Sequence, residues 1–202
     1  MTQTTLPAIG LGLLLSQALF SQVTIFDTSN GMPLNALTIS AGEEIADDVS
    51  LATTGATVTD LELFLVTYSA TGSIDADVTA ALYSPNGTGA PAILHWSETK
   101  AGLNFTSTES SVVFNNIDTI VGHDFFWSVK MDNVVADAGA IWGPRLALAA
   151  NVAPSGTSTD PGYFYIAPVG SGFAYTSVSG AVSTLGVRIT GNPIPEPGTT
   201  IA

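Results

Sequence analysis

Residues 125–131, Phe-Phe-Trp-Ser-Val-Lys-Met, put Phe125, Trp127, Val129 and Met131 on one face of an extended chain and Phe126, Ser128 and Lys130 on the other. Strands sort side chains this way, because successive Cβ atoms of extended backbone point to opposite faces. Leu185, Val187 and Ile189 repeat the pattern, with Arg188 and Thr190 facing away. From residue 22 onward the chain consists of such segments, rich in Val, Ile, Thr, Phe and Tyr. They span 22–27, 36–40, 43–51, 57–69, 76–83, 93–98, 110–117, 124–131, 140–149, 162–167, 173–178 and 184–190. Between them stand Asn30-Gly31, Ser84-Pro85-Asn86-Gly87 and Asp160-Pro161-Gly162, residues that tolerate positive φ or preset a turn. About a dozen short strands with such punctuation predict an all-β fold, a single antiparallel β-sandwich of jelly-roll-like form. The chain shows no internal repeat of the length that propeller blades and solenoids require.

Composition narrows the partners. The 202 residues are 46% hydrophobic and 10% charged, enough for one sizeable core and too little charge for long surface helices. Seventeen acidic residues stand against four basic ones, Lys100, Lys130, Arg145 and Arg188, for a formal net charge of -13. Neutralising phosphates takes clustered Lys or Arg, so nucleic acid is not an expected partner. The chain has no Cys, which excludes disulfides and thiolate metal sites.

The two ends differ from the middle. Residues 1–21 carry the apolar run Leu6–Phe20, with small residues at Ala18 near its end and Ser21 just after it. The run is short for a membrane span and reads as the hydrophobic part of a secretory leader, although no Lys or Arg precedes it. Residues 22–191 form the expected β-sandwich domain. At the other end Pro193, Pro195 and Pro197 remove ladder donors and lock φ, so residues 191–198 are expected to form an extended linker outside the sheet.

Within that tail, Pro195-Glu196-Pro197 resembles the signature of the PEP-CTERM sorting signal. The stretch Gly42–Leu51, followed by Thr57-Val58-Thr59-Asp60-Leu61, is similar to the opening strands of β-sandwich domains common among such proteins. The resemblance implies a protein exported by a Gram-negative bacterium and processed near residues 192–202, a truncated sorting tail, by an exosortase. It also implies release to the cell surface or an exopolysaccharide matrix.

Candidate sites are few. Nucleophilic catalysis needs a base beside its nucleophile, and only His95 and His123 are available, each in a strand-like context. A non-enzymatic role is therefore expected, with no cofactor other than Ca²⁺. Glu43, Glu44, Asp47 and Asp48 crowd six residues and carry the oxygens that Ca²⁺ accepts, without EF-hand spacing; Asp75 and Asp77 share one strand face. Trp142, Tyr163 and Tyr165 lie beside loop signals and could stack on sugar rings. Asn86-Gly87-Thr88 and Asn104-Phe105-Thr106 match the N-glycosylation pattern. The expected function is a secreted structural or interaction protein of the cell surface or extracellular polysaccharide matrix. It would self-assemble through edge strands or the N-terminal apolar segment. The alternative is a carbohydrate-binding module dependent on Ca²⁺.

Overall fold

The computed structural model describes residues 22–29, 37–144, 146–147, 156–157, 162–166, 172–177 and 184–196. Its strands are β1 (Val23–Asp27), β2 (Glu44–Tyr68), β3 (Ile74–Pro85), β4 (Pro91–Phe105), β5 (Glu109–Val135) and β6 (Ile141–Pro144). They continue with β7 (Leu146–Ala147), β8 (Gly156–Thr157), β9 (Gly162–Ile166), β10 (Ala174–Ser177), β11 (Thr184–Leu185) and β12 (Val187–Pro193). Every pairing is antiparallel, and the principal sheet runs β1-β12-β2-β5-β3-β4. The fold is all-β, as the period-two pattern predicts.

Two very long strands organise the molecule. Strand β2 has 25 residues and β5 has 27, where the sequence predicts two shorter strands in each place. The predicted breaks are bulges. Ser50 pairs with Asp124 and Gly55 with Gly122, so β2 carries three extra residues there; Val58 pairs with Thr119 and Asp60 with Asn115, so β5 carries two. Asn116 and Asp118 take φ of 61° and 47° within the second bulge, a conformation that Asn and Asp tolerate better than other L residues. Bulges bend strands and let one strand serve two layers. The first half of β2 pairs with the second half of β5, which also pairs with β3; the second half of β2 pairs with the first half of β5 and with β12.

The sheet thereby folds over on itself. Trp96 of β4 meets Phe114 of β5 edge-to-face, ring centroids 5.8 Å apart, although β4 and β5 are not hydrogen-bonded neighbours. One continuous apolar cluster lies between the layers, with Ile45, Val49, Leu61 and Leu63 of β2, Val78 and Leu82 of β3, Phe114, Phe125, Trp127 and Met131 of β5, and Val187 and Ile189 of β12. Alternation decides which residues enter it: Phe125, Trp127, Val129 and Met131 are fully buried, and Leu185, Val187 and Ile189 nearly so. The opposite face of β5 is not simply wet, since Phe126 and Ser128 are also buried.

The tail departs from expectation. Gly191, Asn192 and Pro193 continue β12 and pair with Val58, Thr57 and Ala56. Ile194 N then donates to Gly55 O at 2.9 Å. Proline lacks only its own N–H, so Pro193 can close a strand whose carbonyls and neighbouring amides still pair. Pro195 and Glu196 follow as exposed coil. Residues 1–21 and Pro197 lie outside the described residues. The segment 36–40 predicted as a strand is coil where described, from Leu37 to Ser40.

Candidate functional site

Strand β4 is the outermost strand of its layer. It pairs with β3 alone, and among the described residues no strand pairs with its other side. Its 15 residues would reach roughly 50 Å when fully extended, whereas natural edges are often kept short because unpaired N–H and C=O groups recruit other chains. Three irregularities interrupt it, one at Ala92 near its start and two that bracket its central stretch. His95 has no counterpart, since Leu82 faces Trp96 and Tyr83 faces Leu94; Ala101 and Gly102 lie opposite Asp77, since Val78 faces Lys100 and Ala76 faces Leu103. Gly102, at φ 63°, donates its N–H to Asp77 Oδ1 at 2.7 Å.

Between those bulges, residues 96–100 run in unbroken register against β3. Trp96, Glu98 and Lys100 lie on the half-covered face, and Lys100 Nζ sits 5.5 Å from the centroid of the Phe114 ring. Ser97 and Thr99 lie on the exposed face, where Thr99 Oγ1 is 2.8 Å from Thr79 Oγ1. Ile93 and Leu94, beyond the first bulge, are 60% and 54% exposed.

The four clustered carboxylates do not share a direction. Period two sends Asp47 to the interior side with Ile45 and Val49, where it is 1% exposed and its Oδ2 accepts the Leu185 N–H at 2.7 Å. Glu44 points the other way, its Oε1 accepting the Tyr83 hydroxyl at 2.8 Å and the buried Ser128 hydroxyl at 2.5 Å. Burial, together with the Glu44 carboxylate beside it, pushes the Tyr83 phenol well above its usual range. Glu43 closes the preceding turn by accepting Ser40 N–H at 2.6 Å. Asp48 instead lines a cleft of about 270 Å³ with Ser50, Asn86, Asp124 and Phe126. No group of three or more His, Cys, Asp or Glu suited to a metal ion occurs among the described residues.

In that cleft the Ser50 hydroxyl donates to Asp124 Oδ1 at 2.6 Å, and His123 Nδ1 lies 2.8 Å from the same oxygen. The Ser50 hydrogen bond holds the Asp124 carboxyl below the ordinary range, with His123 adding to the effect. The carboxylate stands between hydroxyl and imidazole, whereas activating a serine places the imidazole in the middle. His95 is exposed on β4.

Both sequon asparagines are engaged in folding. Asn86 Oδ1 accepts Thr88 N, Thr88 Oγ1 and Ala90 N at 2.9, 2.7 and 3.0 Å, organising the β3–β4 turn. Asn104 Nδ2 donates to Asp75 Oδ1 at 2.5 Å across β3 and β4. Asp77 also accepts from Asn133 Nδ2 at 2.7 Å; that bond, then the one from Gly102 N–H, holds its carboxyl below the usual range. Trp142 is half-buried and packs on the main core, and Trp127 lies wholly within it. Tyr163 and Tyr165 lie on β9; their side chains lie outside the described residues.

A groove of about 430 Å³ separates the end of β4 from the start of β5, lined by Lys100, Asn104, Thr106, Ser107, Ser110 and Ser111. No protein-family model matches the chain, and no curated protein matches it. Sequence reasoning did not single out Glu98, Thr99 and Lys100, which stand together on the β4 edge. Their signal is the alternation of an acid and a base around a threonine, which gains meaning only once β4 is known to be an edge.

Proposed function

We propose that the chain is a non-enzymatic, secreted structural protein of the cell surface or extracellular polysaccharide matrix, delivered with the help of an exosortase-type enzyme and self-associating through β4. The observation that carries this reading is the long edge itself, bearing exposed Ile93 and Leu94 at one end. Backbone pairing on such an edge is indifferent to most side chains, so it suits a protein that builds a layer. Sedimentation velocity and electron microscopy of the full chain test it. Reversible association at micromolar concentration supports the reading, and monomers at every concentration up to about 1 mM, where contacts worth under roughly 4 kcal/mol remain, remove it.

A second reading is a carbohydrate-binding module with a Ca²⁺ requirement. It is favoured by the cleft of Asp48, Ser50, Asn86 and Asp124, whose hydroxyl, amide and carboxylate groups match what a sugar presents. A glycan array probed with and without chelator separates the two: specific spots that vanish with chelator favour the module.

A further inference from the structure

Glu98 and Lys100 flank Thr99 within residues 96–100, the stretch of β4 that runs in unbroken register against β3, and each stands one residue from it. We infer that two copies of this chain pair their β4 strands antiparallel about a two-fold axis through Thr99, so that Glu98 of each copy faces Lys100 of the other. The inference rests on the self-association reading above and specifies its partner and register.

Symmetry restricts the choices. When two identical edges pair antiparallel and keep their faces aligned, directly opposed residues lie on one face, so the axis must pass through a residue rather than between two. An axis through Glu98 opposes two carboxylates, and one through Lys100 opposes two ammonium groups; like charges directly opposite are destabilising. An axis through Ser97 leaves Glu98 facing Trp96. Only the axis through Thr99 matches both charges, and it does so twice. Beyond Lys100 the Ala101–Gly102 bulge ends the regular stretch, so the two Glu98–Lys100 pairs close the matched segment at each end. The exposed pair Thr79 and Thr99, already 2.8 Å apart, extends into a row of four threonines across the axis. The choice matters in a chain of net charge -13, because a cation set opposite an anion at the axis offsets part of the repulsion between two acidic bodies.

Full-length variants decide it by sedimentation, with circular dichroism and thermal melting confirming that each folds. Glu98→Lys alone and Lys100→Glu alone each place like charges opposite, and each is expected to weaken self-association at least tenfold. Mixing the two restores dimers, now mixed ones, and the double exchange restores self-association. The chain has no native Cys, so Thr99→Cys gives a second readout. Opposed residues of an antiparallel pair have Cα atoms about 4.5 to 5.5 Å apart, within disulfide range. Thr99→Cys is expected to form a covalent dimer under mild oxidation, and Ser97→Cys is not. If the wild-type chain never associates, the underlying reading fails. If it associates but the charge variants associate equally well and Ser97→Cys cross-links as readily as Thr99→Cys, only the register is overturned.

Discussion

Arg188 is one of four basic residues in the chain, and it ties three strands together. Its Nε donates to Asp27 Oδ2 of β1 at 3.0 Å, its Nη1 to Glu62 Oε2 of β2 at 2.9 Å and its Nη2 to Ser29 Oγ at 2.9 Å. Its guanidinium lies over Phe64, the guanidinium carbon 5.5 Å from the ring centroid. Burial pushes the Asp27 carboxyl up, but hydrogen bonds from the Ser29 side chain and amide and from Arg188 outweigh it and hold the group below its ordinary range. A carboxyl lowered in the folded state contributes stability that is fully present above its unfolded pKa of about 3.9 and is lost as pH falls through the folded value. Arg188→Met keeps apolar bulk on Phe64 and removes the charge. The unfolding free energy of this variant should lie below that of the wild type at pH 7, and the gap should narrow as pH drops below about 4. Urea melts of both proteins between pH 7 and pH 2.5 check this; a gap that stays constant shows that Arg188 acts by packing alone. Asp77 and Asp124 are also held low, which is why the difference between the proteins, rather than the slope of either, carries the information.

Among the elements, strand identity was legible wherever apolar residues alternate, as at Phe125–Met131 and Leu185–Ile189, because period two has no helical counterpart. Strand continuity was not. Gly55 falls in the gap between the strands predicted over 43–51 and 57–69, yet it faces Gly122 inside the β2–β5 ladder. Its role is close approach: a Cβ built at Gly55 would lie 2.4 Å from Val121 O. Glycine as turn and glycine as contact have the same letter, and only the partner strand tells them apart. The same limit applies to the proposed pairing edge. Whether β4 is central or marginal depends on pairings between residues far apart in sequence, so Glu98 and Lys100 look like ordinary surface charges until the strand order is known. At the acidic cluster Glu43–Asp48, alternation sends residues adjacent in sequence to opposite faces, which sequence spacing alone does not display. Gly55→Ala should cost about 1 to 3 kcal/mol by forcing the two backbones apart at the bulge. Ala52→Gly, at an exposed position of the same bulge, should cost well under that, on the order of 0.5 kcal/mol. Equal losses in denaturant melts would place the effect in chain flexibility rather than in contact between β2 and β5.

At the scale of the whole molecule, one sheet folded at two bulges encloses the core and leaves β4 as a long edge, while the net charge of -13 acts on any second copy that approaches it. Two electrostatic effects would then compete in the proposed dimer. Glu98 and Lys100 paired across the proposed axis would attract at contact distance, and pairs of this exposure are worth about 0 to 1 kcal/mol each and weaken in salt. The bodies repel through their net charges over tens of ångströms, and that repulsion is screened once the Debye length falls from about 30 Å at 0.01 M to about 8 Å at 0.15 M salt. Because the repulsion involves many charges and the attraction two pairs, screening removes more of the former. Association of the wild-type chain should therefore strengthen between 0.01 M and 0.15 M salt. In the equimolar mixture of Glu98→Lys and Lys100→Glu, charges of -11 and -15 follow from the -13 of the parent by replacing one acid with a base, or the reverse. Their product stays close to that of two parent chains, so the salt dependence should be nearly the same. Sedimentation equilibrium across the salt series measures both. Weakening of the wild-type dimer over this range would mean that local pairs dominate and that the acidic bodies are held farther apart than a shared β4 edge allows.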